Sequence, residues 1–264
     1  MEYYKKIGMY YDKDACNYDS RYWNNPVVQQ MRQSFREQVK QFPAKSMLEI
    51  GFGTGLDLVH FGKIHPDRLI CGIDLSAEML KLTRERIISS KCNNIEIFQG
   101  SVEDIGILFP NYRFDVIYVF FGALNTVKDL NLAADKLKTV LNRDGVIIVT
   151  YINKWYLGGM LIEMIRCRFL KVFSRLKTTW GGYSPSQFLP SRCYTPGQVK
   201  EAFSGMKVIQ NKGYTIVHPA WFYTKINSKL GERYRRILWS VDTILSKTFL
   251  WRWGEYGLVV FKTR

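Results

Sequence analysis

Histidine is scarce in this 264-residue chain: only His60, His65 and His218 are present, so imidazole chemistry has few candidates. Cysteine is little used as well. Cys16, Cys71, Cys92, Cys167 and Cys193 are odd in number and scattered, with no C-x-x-C pair, which fits reduced thiols and disfavours a disulfide framework or a zinc site. No metal is expected. Apolar runs such as Val146 to Ile152 stop far short of the ~20 residues that a bilayer crossing needs. The opening residues, MEYYKKIGMYYDKD, lack the apolar stretch of a signal peptide, so we expect a soluble cytoplasmic protein. Acidic residues are scarce in one part only. Of 38 basic and 23 acidic residues, 19 and 18 fall in 1–150, whereas 19 and 5 fall in 151–264. Nearly all of the net charge of +15 therefore lies in the second part. Such asymmetry marks a surface facing nucleic acid, membrane headgroups or an acidic substrate, or else a merely solubilising face.

What is present is enough apolar material, 47% of residues, to bury the core of one large domain. There is no internal repeat and no low-complexity linker. Short apolar strands are expected at Ser46–Ile50, Leu69–Asp74, Ile95–Gln99, Phe114–Phe120 and Gly145–Tyr151, alternating with helices near Leu56–Gly62, Ala77–Ser89 and Asp129–Leu141. That alternation predicts an α/β fold with a mostly parallel sheet covered on both faces. Ser76 is an N-cap candidate, and Thr195 caps a short helix opened by Pro196. Strand-like runs at Met206–Gln210, Tyr214–Val217 and Tyr256–Lys262 predict a closing antiparallel hairpin, with a basic helix around Ser228–Ser246 between the last two.

The chemistry begins at Leu48–Gly55, LEIGFGTG, where an apolar strand runs into G-x-G-x-G just before a helix. Gly51, Gly53 and Gly55 allow a sharp turn and let a ligand lie against the main chain at the carboxyl edge of the strand. A nucleotide-type cofactor is indicated. The dinucleotide fingerprint asks for glycine where Leu56 stands, and no Gly-Lys-Ser/Thr follows, so NAD, FAD and P-loop readings are disfavoured.

With four further motifs in order, the chain resembles the class I S-adenosylmethionine (SAM) dependent methyltransferases, in their small-molecule and lipid branch. LEIGFGTG is similar to the family's first motif, CGIDLSAEML (Cys71–Leu80) to its second strand and acidic end, and FQGSVEDI (Phe98–Ile105) to the loop after strand three. RFDVIYVFFGALN (Arg113–Asn125) resembles the fourth strand and its active-site edge, and LNRDGVIIVT (Leu141–Thr150) the glycine turn into strand five. The resemblance covers residues 40–152 by motif and the remainder by layout. It implies a Rossmann-like, doubly wound, seven-stranded sheet, five parallel strands then an antiparallel hairpin, with a helical lid inserted after strand five. One domain is expected: an N-terminal helical lid segment at 1–42, a SAM-binding core at 43–152, a basic helical insertion at 153–194, and the rest of the sheet with a basic helix at 195–264.

The resemblance also implies roles. Gly51, Phe52 and Gly53 form the cofactor loop, Asp74 accepts hydrogen bonds from the ribose diol, and Glu49 lies near the methionine ammonium. Leu75 and Met79 pack on adenine or serve as core. Ser101 stands where the family often has an acidic residue for the adenine amino group, with Val102 offering its amide and Glu103 a carboxylate nearby. Phe120 presents an aromatic face to the sulfonium. Tyr11 and Tyr18 are candidates for a lid over the methionine end.

In-line methyl transfer needs alignment of the nucleophile and exclusion of water, and a base only where the acceptor must lose a proton. His218 is the one histidine expected to approach that side. Trp155–Lys177 and Lys225–Arg252 read as basic amphipathic helices whose apolar faces cover the sheet, while Arg166, Lys171 and Arg175 are free to meet an anionic membrane. The expected activity is methylation of a small-molecule or lipid-like acceptor at a membrane surface. The alternatives are an RNA methyltransferase, favoured by charge but without an RNA-binding module, and a non-catalytic SAM-binding protein.

Overall fold

Residues 2–183 and 187–264 are described by the structure, a computed structural model. Two helices come first, α1 (Glu2–Trp23) and α2 (Pro26–Lys40). The alternating series follows: β1 (Ser46–Ile50), α3 (Leu56–Ile64), β2 (Leu69–Asp74), α4 (Ala77–Ser89), β3 (Ile95–Gln99), α5 (Ile105–Leu108), β4 (Phe114–Val119), α6 (Leu130–Thr139) and β5 (Leu141–Ile152). After it come α7 (Leu157–Ile165), α8 (Phe169–Val172), α9 (Pro196–Ala202), β6 (Lys207–Tyr214), α10 (Thr224–Lys229), α11 (Glu232–Leu245) and β7 (Tyr256–Lys262).

The strands form one seven-stranded sheet in the order β3-β2-β1-β4-β5-β7-β6. β1 to β5 are parallel, and β7 enters antiparallel between β5 and β6, so the expected doubly wound sheet is present. Winding reverses between β1 and β4, the place where open α/β sheets leave a crevice for a ligand. Caps form where the sequence offers them: Ser76 accepts from the Met79 amide, and Thr195 makes a reciprocal capping box with Gln198 behind Pro196. The pleat divides the core. Leu48 and Ile50 face α6 and α9, while Met47 and Tyr118 face α2 and α3, where Met31, Phe35 and Phe61 are fully buried.

Five expectations change. Met206–Gln210 and Tyr214–Val217 are not two strands but β6 alone, ended by Thr215 in the left-handed region at φ 51°. The amphipathic stretch Trp155–Lys177 is not one helix: Cys167, at φ 54°, breaks it into α7, α8 and a 3-10 turn at Ser174–Leu176. Its apolar stripe does not cover the sheet, because Leu161, Ile165 and Phe169 are exposed, while Val172 is buried and Leu176 half-buried. Arg175 is no surface cation; it is buried and paired with Glu255 at 3.2 Å. The second basic stretch is likewise divided, into α10, α11 and a 3-10 turn at Phe249–Trp253. No described helix is long and apolar enough to cross a membrane.

α2 is fixed to α3 by a buried charge cluster. Asp57 takes Arg32 on one carboxylate oxygen and the Arg36 Nε, at 2.6 Å, on the other. Removing the carboxylate leaves the buried Arg32 guanidinium uncompensated, which costs about 3–5 kcal/mol. Asp57→Ala is therefore expected to lower the free energy of unfolding by about that amount in a urea titration, whereas Asp135→Ala, which breaks only the exposed pair with Lys138, changes it by less than about 1 kcal/mol.

Candidate active site

β1 delivers the chain into the glycine turn, where the left-handed backbone favours glycine. Gly51 (φ +74°) donates to the Ile73 carbonyl at 2.8 Å, and a Cβ on it would lie 2.6 Å from the Ala123 methyl. Gly53 (φ +56°) is bare toward a cavity, where a Cβ would point at the Tyr18 ring 3.6 Å away. At the end of β2 the Asp74 carboxylate accepts from the Gly53 amide at 2.8 Å and the Ser76 amide at 2.9 Å. Burial raises its pKa to about 6, against the pull of those two amides.

The cavity over this turn, about 730 Å³ with its mouth, is lined by Tyr11, Tyr18, Gly51, Gly53, Asp74, Leu75, Met79, Ser101, Val102 and Phe120. Four other sequence candidates are placed elsewhere. Glu49 shares the pleat face of Met47, accepts from the Tyr118 hydroxyl at 3.2 Å, and is pushed well above the usual carboxylate range by burial and by Asp57 beside it. Phe52 turns into the core on the same face of the sheet. Glu103 accepts from the Tyr4 hydroxyl at 2.6 Å. His218 is buried against its own chain, with Nδ1 2.8 Å from the Pro219 carbonyl oxygen and Trp239 near its ring, and it is not among the residues lining the cavities described here. Ser101 lines the cavity, yet its hydroxyl donates to Asp104 at 2.6 Å and accepts from the Glu103 amide, closing a local capping box.

α1 roofs the cavity. Ile7, Tyr11 and Tyr18 face inward at helical spacing. Polar tethers fix the rim: Asp12 accepts from the Ser76 hydroxyl at 2.6 Å and the Glu78 amide at 3.1 Å, and Asp19 accepts from the Thr54 hydroxyl at 2.5 Å and pairs with Arg86.

A second, larger chamber adjoins the first, and Tyr11, Tyr18, Phe121 and Thr126 line both. Its remaining walls set the rings of Tyr22, Trp180, Tyr183, Trp221, Phe222 and Tyr256 among polar side chains such as Asn17, Asn125, Ser191 and Thr224. Arg32 reaches its wall, with the guanidinium 4.5 Å from the Phe121 ring centre and 4.9 Å from that of Tyr22, and its Nε is buried without a hydrogen-bond partner. Sequence reasoning singled out Phe120 and passed over Phe121. The signal for Phe121 is the backbone, since Phe121 (φ 50°) and Gly122 (φ 74°) are both left-handed at the strand end. Trp180, Tyr183, Trp221 and Phe222 carried none, because only the tertiary fold gathers them.

Residues 47–145 match the family model described as a methyltransferase domain. A ubiquinone/menaquinone biosynthesis C-methyltransferase of Geotalea daltonii is 26% identical over 191 residues, covering 70% of this chain and 79% of that protein. A SAM-dependent methyltransferase of Thermotoga maritima superposes with a TM-score of 0.57 at 16% identity, over 98% of this chain and 100% of that one. The chain is a methyltransferase, with the fold of the SAM-dependent ones. An uncharacterized protein of Methanocaldococcus jannaschii shares nearly the whole length, 26% identical over 98% of this chain and 93% of its own. Other curated relatives are matched over about half their length, among them a tRNA (guanine-N(7)-)-methyltransferase of Chlorobium phaeobacteroides, 30% identical over 37% of this chain and 48% of that protein.

The cofactor of this methyltransferase is SAM, and the turn over β1 fits it: a bare glycine backbone, a carboxylate at the next strand end, and an aromatic wall. Among the described residues no three His, Cys, Asp or Glu side chains gather as a metal site requires. Gly53→Val would place a branched side chain at a left-handed φ and fill the space beneath Tyr18. Calorimetry with S-adenosylhomocysteine is expected to show at least about a hundredfold loss of affinity in that variant.

Proposed function

We propose that this methyltransferase acts on a small-molecule or lipid-like acceptor held in the aromatic chamber. The observation that carries the reading is the shared wall: Phe121, Thr126, Tyr11 and Tyr18 belong to both cavities, so an acceptor in one abuts a cofactor in the other. When bound, SAM supplies an electrophilic methyl group on a sulfonium. Asp74 holds the ribose diol, Gly51 and Gly53 leave room for the methionine end, and Leu75, Met79 and Val102 flank the adenine. Arg32, with an unpartnered Nε beside Phe121 and Tyr22, is a cation at that shared wall. Tyr11 and Tyr18 close the roof and exclude water, which favours transfer to the aligned acceptor over hydrolysis.

The rings of the chamber suit a flat or apolar body and its polar side chains a polar end, and among the described residues its lining holds no histidine to act as a base; Asp14 is the carboxylate at its rim. The quinone C-methyltransferase relative, matched across most of its length, supports an amphiphilic acceptor. The tRNA methyltransferase relative is matched over only 37% of this chain and 48% of its own length, so it lends RNA less support.

The test is turnover. Purified enzyme with methyl-labelled SAM is offered separated lipid, polar small-molecule and RNA fractions of a cell extract, with Gly53→Val as the inactive control. Label is expected in a lipid or small-molecule fraction; label confined to RNA overturns the proposal. The pH dependence of cofactor binding gives a second check. Ribose hydroxyls donate more strongly to ionised Asp74 than to its protonated form, so binding lowers its pKa from about 6. Affinity for S-adenosylhomocysteine is expected to be flat above pH 7 and to fall up to about tenfold per unit below pH 6. Asp74→Asn is expected to bind weakly at every pH and to lose this slope.

A further inference from the structure

α7 and α8 carry an unpartnered apolar face. On α7, Leu161 (58% exposed), Met164 (50%) and Ile165 (73%) stand on solvent, and beyond the Cys167 break Phe169 (62%), Leu170 (92%) and Phe173 (58%) continue the patch. A monomer in water seldom leaves six large apolar side chains in one place without a partner for them. Beside the patch runs a basic groove lined by Lys154, Arg166, Arg168, Lys171, Lys225 and Lys229. Glu163 is the one acidic residue among the described residues of its lining, and it is occupied by Arg166 at 3.6 Å and Arg168 at 4.0 Å. Arg175, also on the groove, is neutralised by buried Glu255. Lys171, Lys225 and Lys229 remain exposed, with no carboxylate paired to them among the described residues.

Charge selects the occupant. A second copy would bring an equally basic surface against this one, whereas an anionic bilayer offers hydrocarbon for the patch and negative headgroups for the groove. We infer that α7 and α8 dock this enzyme on an anionic lipid bilayer, the apolar patch entering the acyl boundary and Lys171, Lys225 and Lys229 meeting lipid headgroups. The docked face is also the way to the acceptor chamber, because Trp180, Gly182, Tyr183, Phe222 and Thr224 line both the groove and the chamber. An amphiphilic acceptor leaving the bilayer passes this shared wall. That route rests on the acceptor reading given above; the docking does not.

The experiment is sedimentation of the full chain with vesicles of phosphatidylcholine alone and of phosphatidylcholine with phosphatidylglycerol in equal parts, at low and physiological salt and without acceptor. Two triple variants accompany it, Ile165→Glu/Phe169→Glu/Leu170→Glu and Lys171→Gln/Lys225→Gln/Lys229→Gln. Wild type is expected to partition at least about tenfold more strongly to the anionic vesicles, and each variant to lose about tenfold or more of that binding. Both variants change exposed residues away from the cofactor cavity, so unchanged S-adenosylhomocysteine affinity certifies their fold. Absence of binding to anionic vesicles, or undiminished binding by the apolar variant, overturns the inference. So does wild-type dimerisation at micromolar concentration that the apolar variant abolishes, which would make a second copy the occupant. Vesicle binding with label only in RNA would leave docking standing and sink the acceptor reading alone.

Discussion

One buried carboxylate organises the cofactor end of the molecule. Asp74 takes an amide from the glycine turn after β1 and another from the start of α4, so it ties together two segments that the strands deliver side by side. Ser76, whose amide it accepts, donates its hydroxyl to Asp12 and thereby anchors the roof helix. Turn, strand end and roof thus depend on a charge that the low-polarity surroundings oppose, as its raised pKa records. Donors already aimed at that oxygen pair are what permits the burial.

The parts legible in the sequence were those where backbone geometry dictates residue type. Gly51 and Gly53 occupy left-handed positions, Ser76 and Thr195 cap helices, and apolar runs bounded by turns became β1 to β5 within a few residues. The opaque parts were those where geometry leaves residue type free. Helical spacing in Trp155–Lys177 is real on each side of Cys167, yet nothing in the pattern announced that a cysteine would take a positive φ and divide the helix. Nor does spacing reveal what an apolar stripe faces; Leu161 and Ile165 face water. Glu49 illustrates a parity effect, since one place along a pleated strand decides between the cavity and the α2 side. Tyr183 and Phe222 meet only because the chain between β5 and β7 folds over the sheet end.

Charge divides in an instructive way. The basic excess of 151–264 reads as a surface facing something anionic, or a solubilising one, but the fold sorts it. Arg175 is enclosed by the rings of Tyr156, Trp180, Tyr183 and Phe222 and bonded to Glu255, where it stiffens the wall between chamber and groove. Arg32, from the electrically balanced part, does comparable work on the opposite wall, held by Asp57 and stacked near Phe121. In both places a planar cation among aromatic rings supplies rigidity without a bulky core.

The roof has a kinetic consequence. Tyr11 and Tyr18 of α1 are part of the cavity lining, so lifting the helix would open the cavity from above, and lifting breaks the bonds of Asp12 and Asp19 together. Those bonds lie on one rigid helix, so they fail as a unit. Where cofactor exchange requires that lift, the lifetime of the roofed state is a clock for each catalytic cycle. Where that lifetime exceeds the time for methyl transfer, the enzyme runs at the pace of helix undocking, and the chemical step leaves no mark on the steady-state rate.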